Sequence, residues 1–401
     1  MSSNLPGKTT VHTGIDQARD DGFSFLRGKR VGLLSHAAAC DSSLRTTLSL
    51  LRETLGDDLK ILFTPEHGFH GHAQDLEPVA LTAQSAQGPR WVSLYGDTFE
   101  SLTPRPGDLR LIDTLVVDLV DVGSRYYTFQ ASMLLAMRAA FACGVAVMVL
   151  DRPNPIGGLR VEGPMLEEGA ESLVGIHPIP SRHGMTIGEL AILYKEELGL
   201  EGELGVIPCQ GYLRGCYLDS TTVPWVRPSP NMPTLDTALV YPGMGLLEGT
   251  NLSEGRGTTQ PFEIFGAPWL HPDTLAEALN SQGLAGVHFR PVTFRPTFQK
   301  HQVQLCGGAQ IHVTDRAGFS PVRMGLAVLE VVRELGGGHF AWRTDPYEFV
   351  ADRPAIDLLF GSDRERLALA GGESWLQIAA GWAEEEADFI LHRKPYLIYS
   401  E

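Results

Sequence analysis

Through the first 150 residues, short apolar runs alternate with helix-like stretches, and this rhythm limits the fold more than anything else in the chain. The runs are Arg30-Val31-Gly32-Leu33-Leu34, then 59–63, 91–95, 115–119 and 145–150. Each is too short for an ordinary helix and too continuously apolar for a strand with one wet face. Between them, leucines at 44, 48, 51 and 55 recur at helical spacing behind Asp41 and Ser42 as candidate caps, predicting a helix over 43–55. An alanine- and leucine-rich segment predicts a second helix over 129–142, stopped by Gly144. Buried strands alternating with helices specify an α/β fold, a parallel sheet covered on both faces. In such sheets ligands bind beyond the carboxyl ends of the strands.

Chemistry-bearing residues gather at those ends: Ser35 and His36, Glu66 and His67, Asp118 with Asp121 and Arg125, and Asp151 with Arg152 and Asn154. Glu66 is the sharpest of them, because a proline breaks the apolar run just before it and a turn rich in histidine and glycine follows. It is the candidate proton donor of an enzyme. His67, His70 and His72 allow a second reading as a metal site, with Asp118 or Asp121 as oxygen ligands, although the spacing matches no established ligand pattern. The turn after the first run is Ser-His-Ala-Ala-Ala-Cys and lacks the glycines that let a backbone approach a pyrophosphate, so no dinucleotide and no other cofactor is expected. A G-x-S-x-G elbow is also absent.

The formal charge of −16 argues against a nucleic-acid partner. It also means that an anionic substrate must be met by a local cluster of arginines, and Arg125, Arg152, Arg182 and Arg256 all lie in polar motifs. Arg256 stands between Gly255 and Gly257, where the backbone can gather N–H groups around an anion. Five scattered cysteines without a C-x-x-C pair predict buried thiols rather than disulfides or a zinc knuckle. Apolar runs are too short to cross a membrane, and the polar amino terminus reads as that of a cytoplasmic protein, with export left open.

Thr186-Ile187-Gly188-Glu189 is a capping-box pattern that predicts a helix to about Leu198. Trp225 to Pro233 carries too many prolines for helix or strand, and holds Asn231 rigidly. The expected domain boundary follows it, giving units over 1–236 and 237–401, the second a smaller α+β domain with helices over 324–335 and 373–389 and strand-like runs over 302–306 and 310–313.

Taken in order, Phe63-Thr-Pro-Glu66-His-Gly68, Asp118-x-x-Asp-Val-Gly-Ser-Arg-Tyr-Tyr127, Asp151-Arg-Pro-Asn-Pro155, Arg182-His-Gly-Met-Thr186, Pro228-Ser-Pro-Asn-Met-Pro233 and Glu248-Gly-Thr-Asn-x-x-Glu-Gly-Arg-Gly-Thr258 resemble the exo-β-N-acetylmuramidase family. The resemblance runs from about Gly28 to Tyr399. It implies a Rossmann-like domain and a smaller second domain with a cleft between them, and removal of N-acetylmuramic acid from the non-reducing end of peptidoglycan fragments. Glu66 falls on the family's proposed catalytic glutamate, with His67 beside it. The second catalytic group stays open among Asp121, Glu162, Glu254 and the substrate's own acetamido group. Substrate contacts are expected from Arg125, Tyr126, Arg152, Asn154, His183, Asn231, Asn251, Glu254 and Arg256, with Arg256 or Arg125 holding the lactyl carboxylate. Trp225 and Trp269 could stack on a sugar face. His36 and Val120 depart from the Asn and Gln common in relatives. A muropeptide-binding sensor without catalysis and a metal-dependent hydrolase are the competing readings.

Overall fold

A computed structural model of the chain describes residues 7–71 and 88–401. Its first sheet takes strands β1 (Val31–Ser35), β2 (Leu59–Thr64), β3 (Arg90–Ser93), β4 (Thr114–Asp118) and β5 (Ala146–Leu150). After a short antiparallel pair, β6 (Glu162–Met165) with β7 (Pro180–Arg182), the strand β8 (Leu204–Ile207) joins its edge. The six strands are parallel in the order β3-β2-β1-β4-β5-β8. Every residue of β1 and β4 is buried, as their unbroken apolar runs require. Gly32 in β1 leaves room for Ile112, whose Cδ1 would lie 2.6 Å from a Cβ there and would have to shift.

The chain builds outward from β1 in one direction and, after β4, in the other, so the crevice beyond these two central strands is the topological switch point. Helix Phe129–Ala142 has the limits its composition predicts. The earlier helix is shorter than its leucine pattern suggests, Thr47–Leu55, with Thr46 as cap. Asp41 and Ser42 do not cap it: Asp41 Oδ1 accepts from the amides of Ser43 and Arg45, and that loop displaces the start. The capping box at Thr186 opens helix Ile187–Glu197 as read.

The rest of the chain holds a three-stranded antiparallel sheet, β9 (Ile264–Ala267), β10 (Val287–Phe294) and β11 (Cys306–Val313), in the order β10-β11-β9. Residues 302–305 are not a strand; β11 starts at Cys306 and contains the second apolar run whole. The stretch expected as one helix over 373–389 is two, Trp375–Ala380 and Ala383–His392. Helix Leu235–Met244 crosses helix Pro321–Gly336 so closely that a Cβ on Gly243 would sit 1.9 Å from Pro321 O. Pro242 lies inside the first of these, and its carbonyl accepts the Tyr126 hydroxyl.

Among the described residues no helix is long and apolar enough to cross a membrane. The cysteines are free, but only Cys209 and Cys306 are fully buried; Cys40, Cys143 and Cys216 are half-buried, against expectation.

Candidate active site

Strand β2 delivers its last residue, Thr64, to the sheet rim, and Pro65 and Glu66 continue from it. The turn is closed by the Gly68 amide on Pro65 O at 3.1 Å. His67 and Gly68 both take left-handed φ, 67° and 70°. Glycine adopts this freely; histidine does so at a cost, and is among the residue types that tolerate it. Phe69 O accepts the Ala37 amide at 2.7 Å, which ties the turn to the loop after β1. Glu66 is thereby held at 5% exposure. Its Oε2 accepts a 2.6 Å hydrogen bond from Thr128, the residue that opens helix Phe129–Ala142. The Thr128 hydroxyl makes no cap bond to its own helix.

Glu66 and His67 line a cavity whose free space, open solvent included, is about 440 Å³. Tyr126, Tyr127 and Thr128 come to it from the loop after β4, Ser229 and Asn231 from the proline-rich segment, and Glu248, Arg256, Tyr347 and Glu348 from the second half of the chain. Burial, with Glu66 and Asp121 adding to it, pushes the Tyr127 phenol well above its ordinary range, so it remains a neutral hydroxyl.

Arg256 is fixed on several sides. Its Nη2 lies 3.0 Å from Glu248 Oε1, its Nε 3.4 Å from Glu254 Oε1, and its guanidinium carbon 5.0 Å from the Phe262 ring centroid. Tyr347 donates to Glu248 Oε2 at 2.9 Å, and Lys300 Nζ meets Glu254 Oε2 at 2.9 Å. Gly255 must be glycine, with φ 82° and Ile264 O 2.5 Å from where a Cβ would stand. The guanidinium is thus set in place before any ligand arrives, which reduces the ordering cost of binding an anion.

Several candidates from the first sheet serve the framework instead. Arg125 is fully buried and donates to four carbonyls, those of Pro164, Ile179, Leu359 and Phe360, at 2.6–2.9 Å. It does not line the cavity that holds Glu66. Desolvation draws it down to about 10, still protonated at neutral pH. Arg152 forms a two-point pair with Asp118, at 2.5 and 2.9 Å, and Asn154 spends its amide on Met185 O and Ile156 N. Asp121 accepts from the Gly123 amide at 2.7 Å, lies 3.3 Å from His183 Nε2, and lines a neighbouring cavity with Val120, Arg152 and Trp225. His183 Nδ1 accepts from the Met185 amide.

Of the remaining candidates, Tyr126 lines the site but gives its hydroxyl to Pro242, and Glu254 braces Arg256 from behind. Asn251 bonds the backbone of His339 and Ala341 and belongs to a separate surface groove. Glu162 accepts the Arg323 amide. Trp225 donates to Pro233 O, and Trp269 stacks on His339, away from the cavity. Of the three histidines, His67 lines the cavity and His70 is exposed against Phe69 and Trp91, while His72 lies outside the described residues. Among the described residues no group of three or more potential ligands could hold a metal ion.

Sequence reasoning missed Thr128, Glu248, Tyr347 and Glu348. Glu248 opens a motif already singled out and could have been found there. Tyr347 and Glu348 sit in a stretch without any distinctive pattern, and only the fold brings them to Glu66.

Comparison with known proteins agrees with this architecture. Residues 31–236 match the family model described as exo-beta-N-acetylmuramidase NamZ, N-terminal, and residues 239–399 the corresponding C-terminal model. The chain is 43% identical over 392 residues to the peptidoglycan beta-N-acetylmuramidase NamZ of Bacillus subtilis (strain 168), covering 98% of this chain and 92% of that protein. Crystal structures of two DUF1343 family proteins from Bacteroides fragilis NCTC 9343 superpose with TM-scores of 0.88 and 0.75, at 32% and 30% identity, each over 98% of this chain and 100% of the other. The six-stranded parallel sheet, the antiparallel second sheet and both family matches lead to one statement: this chain belongs to the exo-β-N-acetylmuramidase family of glycosidases.

Proposed function

We propose that this protein removes N-acetylmuramic acid from the non-reducing end of peptidoglycan fragments, with Glu66 as the general acid. The observation that carries the reading is the shared cavity: a buried carboxyl held by Thr128 on one wall, and on another a guanidinium fixed between two carboxylates. N-acetylmuramic acid differs from N-acetylglucosamine by a lactyl ether that ends in a carboxylate. Arg256 supplies the charge for that group, and it stands in a protein whose net charge of −16 would otherwise repel the ligand.

In the bond-breaking step the Glu66 carboxyl proton goes to the glycosidic oxygen while the C1–O bond opens. The Thr128 hydroxyl fixes the rotamer of the acid.

The test is release of chromophore from an aryl N-acetyl-β-muraminide by the wild-type protein and by Glu66→Gln. We expect a loss of about 10²–10⁴-fold for a poor leaving group, and a smaller loss for an activated one that departs without protonation. Near-normal hydrolysis of the poor-leaving-group substrate by Glu66→Gln would remove Glu66 from the role. Tight binding of muropeptide by a wild-type protein that hydrolyses nothing would establish the sensor reading instead.

A further inference from the structure

We infer that Glu348 is the second catalytic carboxylate, the group that takes the proton from the attacking water. The inference rests on the glycosidase reading above. Glu348 is 5% exposed, lines the same cavity as Glu66, and accepts from the Tyr95 hydroxyl at 3.2 Å.

The backbone that carries it is strained. Tyr347 and Val350 exchange both amide-to-carbonyl hydrogen bonds at 2.9 Å, closing a hairpin with two residues at its tip. Those residues are Glu348 and Phe349, at φ 47° and 67°. Tight turns with two left-handed residues ordinarily use Asn-Gly or Gly-Gly, because a side chain there crowds the backbone. This turn instead carries a carboxylate and a phenyl ring. Phe349 lies edge-on to Tyr95 and Phe99, at 5.7 and 6.3 Å between centroids, so an anchor from the first half of the chain opposes the strain. A non-glycine pair held in this way at the wall of a catalytic cavity is the pattern of backbone strain kept for positioning.

Two other arrangements compete and fit less well. Both carboxylate oxygens of Glu248 are engaged, one with Arg256 and one with the Tyr347 hydroxyl, so it serves as the counter-ion that holds the arginine. Asp121 lines the neighbouring cavity with Arg152 and Trp225.

The step balances as a hydrolysis. Glu66 gives its proton to the glycosidic oxygen, which leaves with the C1–O bonding pair. Water oxygen bonds to C1 from the opposite face and gives one proton to the Glu348 carboxylate. Proton return from Glu348 to solvent and from solvent to Glu66 resets the site, and one water is consumed. The sugar is released with inverted configuration.

The experiment uses the full-length protein with an activated aryl N-acetyl-β-muraminide, on which wild-type turnover must first be seen; its absence would count against the glycosidase reading and not against Glu348. Glu348→Gln keeps shape and should lower kcat by about 10³-fold or more with the melting temperature retained. Glu348→Ala opens space beside C1, and azide should raise its rate about 10–100-fold and yield the α-glycosyl azide. Proton NMR of the first wild-type product should show the α-anomer. A Glu348→Gln enzyme within about tenfold of wild type would overturn the assignment. So would a folded Glu348→Ala enzyme that azide does not rescue, or a β-anomeric first product.

Discussion

The Val120 amide donates to His36 Nε2 at 3.1 Å across the crevice beyond β1 and β4, so the ends of the two central strands are tied by a bonded pair. The other ring nitrogen meets the Pro228 carbonyl, and burial, with Arg152 and His67 adding to it, drives His36 down to about 3. It is a neutral strut joining both central strand ends to the proline-rich segment that carries Ser229 and Asn231.

A neutral buried histidine makes stability fall as acid is added. The unfolded chain binds a proton at His36 near pH 6.5 and the folded one only near pH 3, so the contribution is whole above 6.5 and is lost progressively below it. Asparagine can still accept from Val120 and donate to Pro228, but loses the edge contact with Phe129, whose ring centroid is 4.8 Å away. His36→Asn should therefore cost about 1–2 kcal/mol at pH 7.5. By pH 5 that deficit should shrink by about 2 kcal/mol, because the variant has no histidine to protonate on unfolding. Urea melts at the two pH values measure it, and an unchanged deficit would disprove the neutral-strut account.

Arg256 gives a prediction about selectivity. Lysine at this position keeps the charge between Glu248 and Glu254 but offers a point rather than a fork. Arg256→Lys should lower kcat/KM on an aryl muraminide about 10–100-fold while altering the N-acetylglucosaminide by no more than about threefold, a differential of about 0.7–2.7 kcal/mol. Equal losses on both substrates would mean that Arg256 does not read the lactyl group.

Arg125 should behave as a structural residue. Its guanidinium holds carbonyls from both Pro164–Ile179 and Leu359–Phe360, and so pins the end of helix Ala355–Phe360 to the β6-β7 pair. An ammonium cannot span them. Arg125→Lys should lose about 3–5 kcal/mol of stability, the scale for buried polar groups left unmet. KM for the muraminide should stay within about twofold, and a large KM change at unchanged stability would return Arg125 to the substrate.

The parallel sheet was legible because strands buried on both faces are nearly continuously apolar, and β1, β2, β4 and β5 are so between the polar residues at or near their ends. Glu66 was legible because a proline and a glycine-rich turn end such a strand abruptly. Which arginine faces the cavity was not. Arg125 and Arg256 look alike in sequence, and the difference lies in what surrounds them: four backbone carbonyls in one case, two carboxylates and an aromatic ring in the other. Glu348 was invisible because its turn contradicts local preference, and only tertiary contacts with Tyr95 and Phe99 override that preference.

Asp151 opposes His36. It accepts from the amides of Arg152 and Gly188 and from the hydroxyls of Thr186 and Tyr399, at 2.5–2.9 Å, yet burial outweighs them and raises it to about 6. A carboxyl raised in the fold contributes stability that is whole below its unfolded value near 3.9 and is lost as pH climbs toward 6, a decline of about 3 kcal/mol in all. Between about pH 4 and 6 the His36 contribution rises with pH while that of Asp151 falls, so in the wild-type protein the two slopes nearly cancel. The variants should uncover them with opposite sign. Relative to wild type, the stability of Asp151→Asn should climb by about 2 kcal/mol from pH 4.5 to 7.5, whereas that of His36→Asn should fall by about the same amount from pH 5 to 7.5. Denaturation curves across this window that move the same way for both variants would show that the carboxyl is not held protonated by its burial.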